Sequence, residues 1–119
     1  MRVFTLATSL AVLALAGCGS SGVSQQQLSE SQSAIRAAEE LGAERHPRAA
    51  LHLKMARDQM QTARALIADG DGEEAYPVLV RAEADAELAL TLAREARMRA
   101  EAREAMNKVR DLRQSAGSP

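Results

Sequence analysis

The chain has 119 residues, enough for one small domain. Hydrophobic residues make up 46% and aromatics only 2%, so the apolar content is mostly alanine, which buries little more than a methyl group; this favours helices that approach closely and excludes a wide cavity for a cofactor or small-molecule substrate. Fifteen basic and 16 acidic residues are interspersed at a net charge of -1, which excludes the clustered basic face of a nucleic-acid binder.

Arg2 is followed by a nearly unbroken apolar run from Val3 to Ala16. Spanning a bilayer takes about 20 such residues, so this run has the length of a signal-peptide core. It ends in Leu15-Ala16-Gly17-Cys18, which resembles the bacterial lipobox. The resemblance implies cleavage before Cys18, transfer of a diacylglycerol to its thiol, and an acyl chain such as palmitate on its amine. The alternative is an ordinary signal peptide with a stray cysteine. That the chain's single cysteine stands here favours the lipid. Two or three acyl chains, at about 0.8 kcal/mol per buried methylene, make a stable anchor. Gly19 and Ser20 follow, where an aspartate tends to retain a lipoprotein in the inner membrane. The expected address is therefore the outer membrane, facing the periplasm. Residues 1–17 read as signal peptide, 18–23 as lipidated cysteine and flexible tether, 24–114 as a helical domain and 115–119 as a disordered tail.

Past the tether, apolar residues recur with helical period and strand signals are absent. The fold class is all-α. The reading is an antiparallel helical hairpin within a small three-helix arrangement, with a coiled-coil-like alanine seam and a long C-terminal helix.

The first helix is expected over 24–44, with Leu28, Ile35, Ala38 and Gly42 on one stripe and a polar, fraying start at Gln25 to Ser33. Arg45-His46-Pro47 breaks it, and proline suits the first turn of the next helix. The second is expected over 47–69, with Ala49, Leu53, Ala56, Met60, Ala63 and Ile67 spaced by fours and threes. Gly70 should end it in the left-handed conformation. Asp71 with Glu74 resembles a capping box opening the third helix, over 72–113. Pro77 should kink that helix or delay its regular start to Tyr76. Its seam reads Ala75, Leu79, Ala82, Ala86, Ala89, Ala93, Ala96 and Ala100.

The third helix outruns the second. Its excess carries a second stripe: Met98, Ala102, Ala105, Val109 and Leu112. Opposite charges stand four apart at Glu95–Arg99 and Glu104–Lys108, each pair worth a few tenths of a kcal/mol (about 0.2–0.5). This stripe either covers the first helix, remains bare surface, or docks another helix.

Residues 33–96 resemble a family of small bacterial envelope proteins classed as a domain of unknown function. The resemblance is carried by Ala34-Ile35-Arg36-Ala37-Ala38-Glu39, Gly42-Ala43, His46-Pro47, Leu51, Ala56, Ala63, Gly70, Ala75, Ala82 and Asp85-Ala86-Glu87-Leu88-Ala89. It implies a helical hairpin on a lipoprotein. Some members add an OmpA-like, peptidoglycan-binding domain. No such domain is expected after residue 113, so wall binding is not carried over.

Candidate chemistry is sparse. His46 and His52 are six apart, which does not put two imidazoles on one helix face, and His52 should face solvent. Asp69-Gly70-Asp71-Gly72-Glu73-Glu74 superficially resembles a calcium loop. The sixth position is Glu74 where an EF-hand needs glycine, and the twelfth is Val80 where it needs glutamate. The serines at 20, 21, 24, 29, 31 and 33 lie in the tether and the fraying helix start, with no nucleophile elbow. Tyr76 should plug the turn end of the hairpin. No cofactor, metal or catalytic residue is expected. Two functions remain open: a scaffold or interaction lipoprotein that self-associates or binds an envelope protein, and an accessory factor that transiently clamps an envelope client during assembly.

Overall fold

The computed structural model describes residues 23 and 25–117; the signal segment, the lipobox residues Leu15, Ala16 and Gly17, and Cys18 lie outside them. Three helices follow in chain order: α1, Gln25–Glu40; α2, Pro47–Asp69; and α3, Gly72–Ala116. A 3-10 turn, Ala43–Arg45, lies between the first two. The all-α reading holds, with an antiparallel α2–α3 hairpin as the framework and α1 laid mainly against α3.

The hairpin turn follows from Gly70. Its φ of 91° is left-handed, where a side chain is strained. The Gly70 amide donates to the Ile67 carbonyl at 3.2 Å and the Asp71 amide to Leu66 at 2.8 Å. These two bonds form a Schellman motif and satisfy the last carbonyls of α2. α3 starts at once, but without the expected capping box. Asp71 has φ -90° and ψ 51° and makes no side-chain cap bond. That backbone is outside the extended region from which an N-cap side chain reaches back to the next amides. Its carbonyl instead accepts from Glu74 at 3.1 Å and Ala75 at 3.0 Å. Glu73 and Glu74, in the first turn, face the positive end of the helix dipole.

Pro77 neither delays nor interrupts α3, which is helical from Gly72. The ring removes one bond, to the Glu73 carbonyl, and both residues are exposed, so water can satisfy it. α1 ends at Glu40 rather than 44. Gly42, expected on the apolar stripe, takes φ 78° and stops the helix, and its amide donates to Glu39 at 2.8 Å. His46, held extended before proline, then opens α2.

The seam is alanine. Ala49, Leu53, Ala56, Met60 and Ala63 of α2 face Ala75, Leu79, Ala82, Ala86, Ala89 and Ala93 of α3, all buried. Leu53 and Leu79 are the largest apolar side chains fully enclosed. Ile67 is half-exposed, and Leu66 packs against the core in its place, because the chain is already turning at Gly70. Ala96 is half-buried and Ala100 exposed, since α2 has ended opposite them.

α1 contributes Ile35, Ala38 and, against expectation, Ser31. Serine is small enough for the α1–α3 contact, and its hydroxyl lies 3.3 Å from the Leu79 carbonyl and 3.1 Å from its own-turn Gln27 carbonyl. The polar start of α1 is therefore docked and helical from Gln25. Arg57 fastens the other end, donating from Nε to Glu39 at 2.8 Å and from Nη2 to Glu44 at 2.6 Å. The hydrogen bonds to Glu44 and then Glu39 raise its pKa further above the ordinary arginine value.

Thermal melts followed by circular dichroism check this account. Gly70→Ala should destabilise by about 1 kcal/mol, purely through its left-handed backbone, since a Cβ there meets open space. Gly70→Asn should cost less. Ala86→Leu should destabilise by about 1–3 kcal/mol, because the seam has no room for it.

Candidate interaction surface

Beyond Ala96, α3 leaves the hairpin. Residues 97–116 form a helical arm, about 30 Å long at 1.5 Å per residue, and every one of them is exposed. The arm begins where Leu92, Glu95, Ala96 and Arg99 meet His46, Pro47 and Arg48 of the α1–α2 connection in a shallow notch. Ser115 and Ala116, expected in the tail, complete its last turn.

The five stripe residues lie on one face of the arm. Met98 is 69% exposed, Val109 47% and Leu112 59%, with Ala102 and Ala105 open between them. Met106, which sequence reading left out, is 65% exposed at the edge of the stripe. The spacing by fours and threes hid it, because it stands one position outside that pattern. The stripe does not cover α1, which packs on the hairpin half of α3 through Ser31–Leu79 and a 3.2 Å bond from Gln27 to Glu83.

The stripe is not the hairpin seam prolonged. At about 100° per residue it lies roughly 140° round the helix from Ala75–Ala93. The seam itself, continued past Ala96 and Ala100, runs into Arg103, Asn107 and Arg110. A second copy of α2 stacked on the end of the first would therefore meet polar residues, and the apolar face looks the other way. Charge pairs along the arm support its helix in water. Glu95–Arg99 closes at 2.5 Å and Arg97–Glu101 at 2.8 Å. Glu104 and Lys108 form no ion pair.

The other sequence candidates resolve as structure. His52 does not face solvent freely. Its Nδ1 lies 2.8 Å from Asp85 Oδ1, across the hairpin. Gln59, one heptad further along α2, donates to the other Asp85 oxygen at 2.9 Å. The carboxylate is thus held between two residues of α2, which ties the two helices in register. The Gln59 carbonyl oxygen is buried without a partner. Asp69 to Glu74 is turn and helix start, and no group of three metal-ligating side chains occurs among the described residues. Tyr76 is 53% exposed and does not plug the turn; its neighbours Leu66 and Val78 pack against the core instead. No helix among the described residues is long and apolar enough to cross a membrane.

These features define a class: an alanine-seamed helical hairpin, braced by a third helix, that carries a free helical arm. The chain belongs to the family described as Domain of unknown function (DUF4398), whose profile matches residues 26–105. The match takes in α1, α2, the packed part of α3 and the arm as far as Ala105. No curated protein and no solved structure matches the chain.

The Asp85 bridge and the arm pairs should differ in weight. Asp85→Ala, which strands His52 and Gln59, should lower stability by about 1–2 kcal/mol. Glu101→Ala, in the solvated arm, should change it by less than about 0.5 kcal/mol. Urea titrations of the two variants separate them.

Proposed function

We propose that the chain is a membrane-anchored bacterial lipoprotein with a protein-interaction role in the cell envelope. The observation that carries this reading is the bare apolar face of the arm, joined in one chain to the lipobox at Leu15–Cys18. The layout of the helices suits it. The first half of α1 lies beside Leu79 to Glu83, while the α1–α2 connection lies beside Leu92 to Arg99, where the arm starts. α1 therefore begins at one end of the hairpin, and the arm leaves from the other. A lipid at the end where α1 begins leaves the arm pointing away from its membrane, with about 30 Å of helix offered to the periplasm. The hairpin is the spacer that holds this distance.

Incorporation of a photo-crosslinking residue at Met98, and separately at Val109, in living cells tests this. The expected result is a discrete crosslinked band from both positions, with none from Leu53, which is enclosed in the hairpin. In the same cells Cys18→Ser should abolish palmitate labelling and release the chain from the membrane fraction. Absence of labelling in the parent chain overturns the lipoprotein reading. Silence at both arm positions overturns the interaction reading.

A further inference from the structure

The edges of the stripe specify what it fits. In the heptad set by Met98, Ala102, Ala105, Val109 and Leu112, the flanking positions are Arg99, Met106 and Arg113 on one side and Glu101, Lys108 and Ser115 on the other. Three cations thus border the stripe against one anion; Glu101 is held by Arg97 at 2.8 Å and Arg99 by Glu95 at 2.5 Å, which leaves Lys108 and Arg113 as the cations open to a partner. Lys108 and Arg113 have no ion-pair partner among the described residues. Along the middle of the stripe, Ala102 and Ala105 form a shallow dip between Met98 and the Val109–Leu112 pair.

A second copy fits this surface poorly. Two parallel arms would set alanine against alanine in both central layers and Lys108 beside the second copy's Arg113. Two antiparallel arms in full overlap would again set alanine against alanine in the central layers, Ala102 on the second copy's Ala105, and Arg99 beside its Arg113, with Glu101 beside its Lys108 as the one favourable edge contact. A membrane surface fits poorly as well. Two alanines at the centre bury too little area to hold the arm in a bilayer interface.

Resting on the reading of the arm as a docking surface, we propose that its occupant is a different protein's amphipathic helix. That helix presents leucine- or isoleucine-sized side chains into the dip at Ala102 and Ala105. Acidic side chains along its edges meet Lys108 and Arg113. Large knobs opposite small holes recover the area that the alanines lack, and the acidic edges exclude the second copy.

Two synthetic helices of three heptads test this on the full chain in detergent, by fluorescence anisotropy. Both carry leucine at the core positions; one carries glutamate at all flanking positions and the other lysine. The glutamate probe should bind about tenfold more tightly than the lysine probe. Ala105→Phe, which fills the dip, should remove most of that binding. The double variant K108E/R113E should reverse the preference. These substitutions lie in the exposed arm, so an unchanged melting curve shows the hairpin intact. Equal binding of both probes, no binding of either, sedimentation of the chain as a dimer, or preferential binding to phosphatidylglycerol vesicles each overturns the proposal. If the probes fail while Met98 still crosslinks a protein in cells, the interaction reading stands and only the acidic helix falls.

Discussion

The structure depends on how closely α2 and α3 approach, and alanine sets that distance. Nine of the eleven seam residues that α2 and α3 bury against each other are alanine or the flexible methionine, and only Leu53 and Leu79 are larger branched chains. Each alanine removes little area from water, so the seam gains its strength from backbone proximity and dense packing over many small contacts. A seam of that kind tolerates sliding, because one alanine resembles the next. The polar crossing at Asp85 answers this weakness. A single carboxylate held by His52 and Gln59, seven residues apart, has one register in which both bonds close. The buried Ser31 hydroxyl, aimed at the Leu79 carbonyl, fixes α1 in the same way.

How much of this was legible follows from what each element depends on. Period and punctuation carry local information, so the three helices, the Pro47 start and the Gly70 turn were readable from the residues themselves. The inward faces of α2 and of the packed half of α3 were readable for the same reason, as spacings of four and three. Misreadings cluster where a residue's role is set by something distant in sequence. His52 looked like a surface residue because its partner lies 33 positions away on another helix. Ser31 looked like part of a fraying start because its enclosing neighbour is Leu79. Gly42 fitted an apolar stripe by spacing, but its freedom at positive φ made it the terminator. The capping box at Asp71 and Glu74 had the right letters; the tight Schellman turn just before it set a backbone that the motif cannot use.

The same logic explains why the arm's stripe was visible and its environment was not. Its period is local, so Met98 to Leu112 could be read directly. Whether α1 reached it depended on where α1 docks, which only the folded chain shows. α1 is held at Leu79 and Glu83 and cannot cover both the hairpin and the arm with 16 residues, about 24 Å of helix.

A helix of some 20 residues standing alone in water is ordinarily marginal, because the first turn is costly to form. The arm avoids that step. It grows from a helix already ordered by the hairpin, so each further residue adds a bond without a new nucleus. Its composition then suffices: alanine, arginine, glutamate and methionine propagate helix well, and two closed charge pairs add a little more. The hairpin therefore has two consequences for the arm. It supplies the nucleus, and by packing only the seam side of α3 it leaves the opposite face, where Met98, Val109 and Leu112 stand, facing away from the other described helices. An apolar face that its own fold can neither cover nor turn inward is available for contact at no cost in rearrangement, which is the physical basis for reading the arm, rather than the hairpin, as the part that meets other molecules.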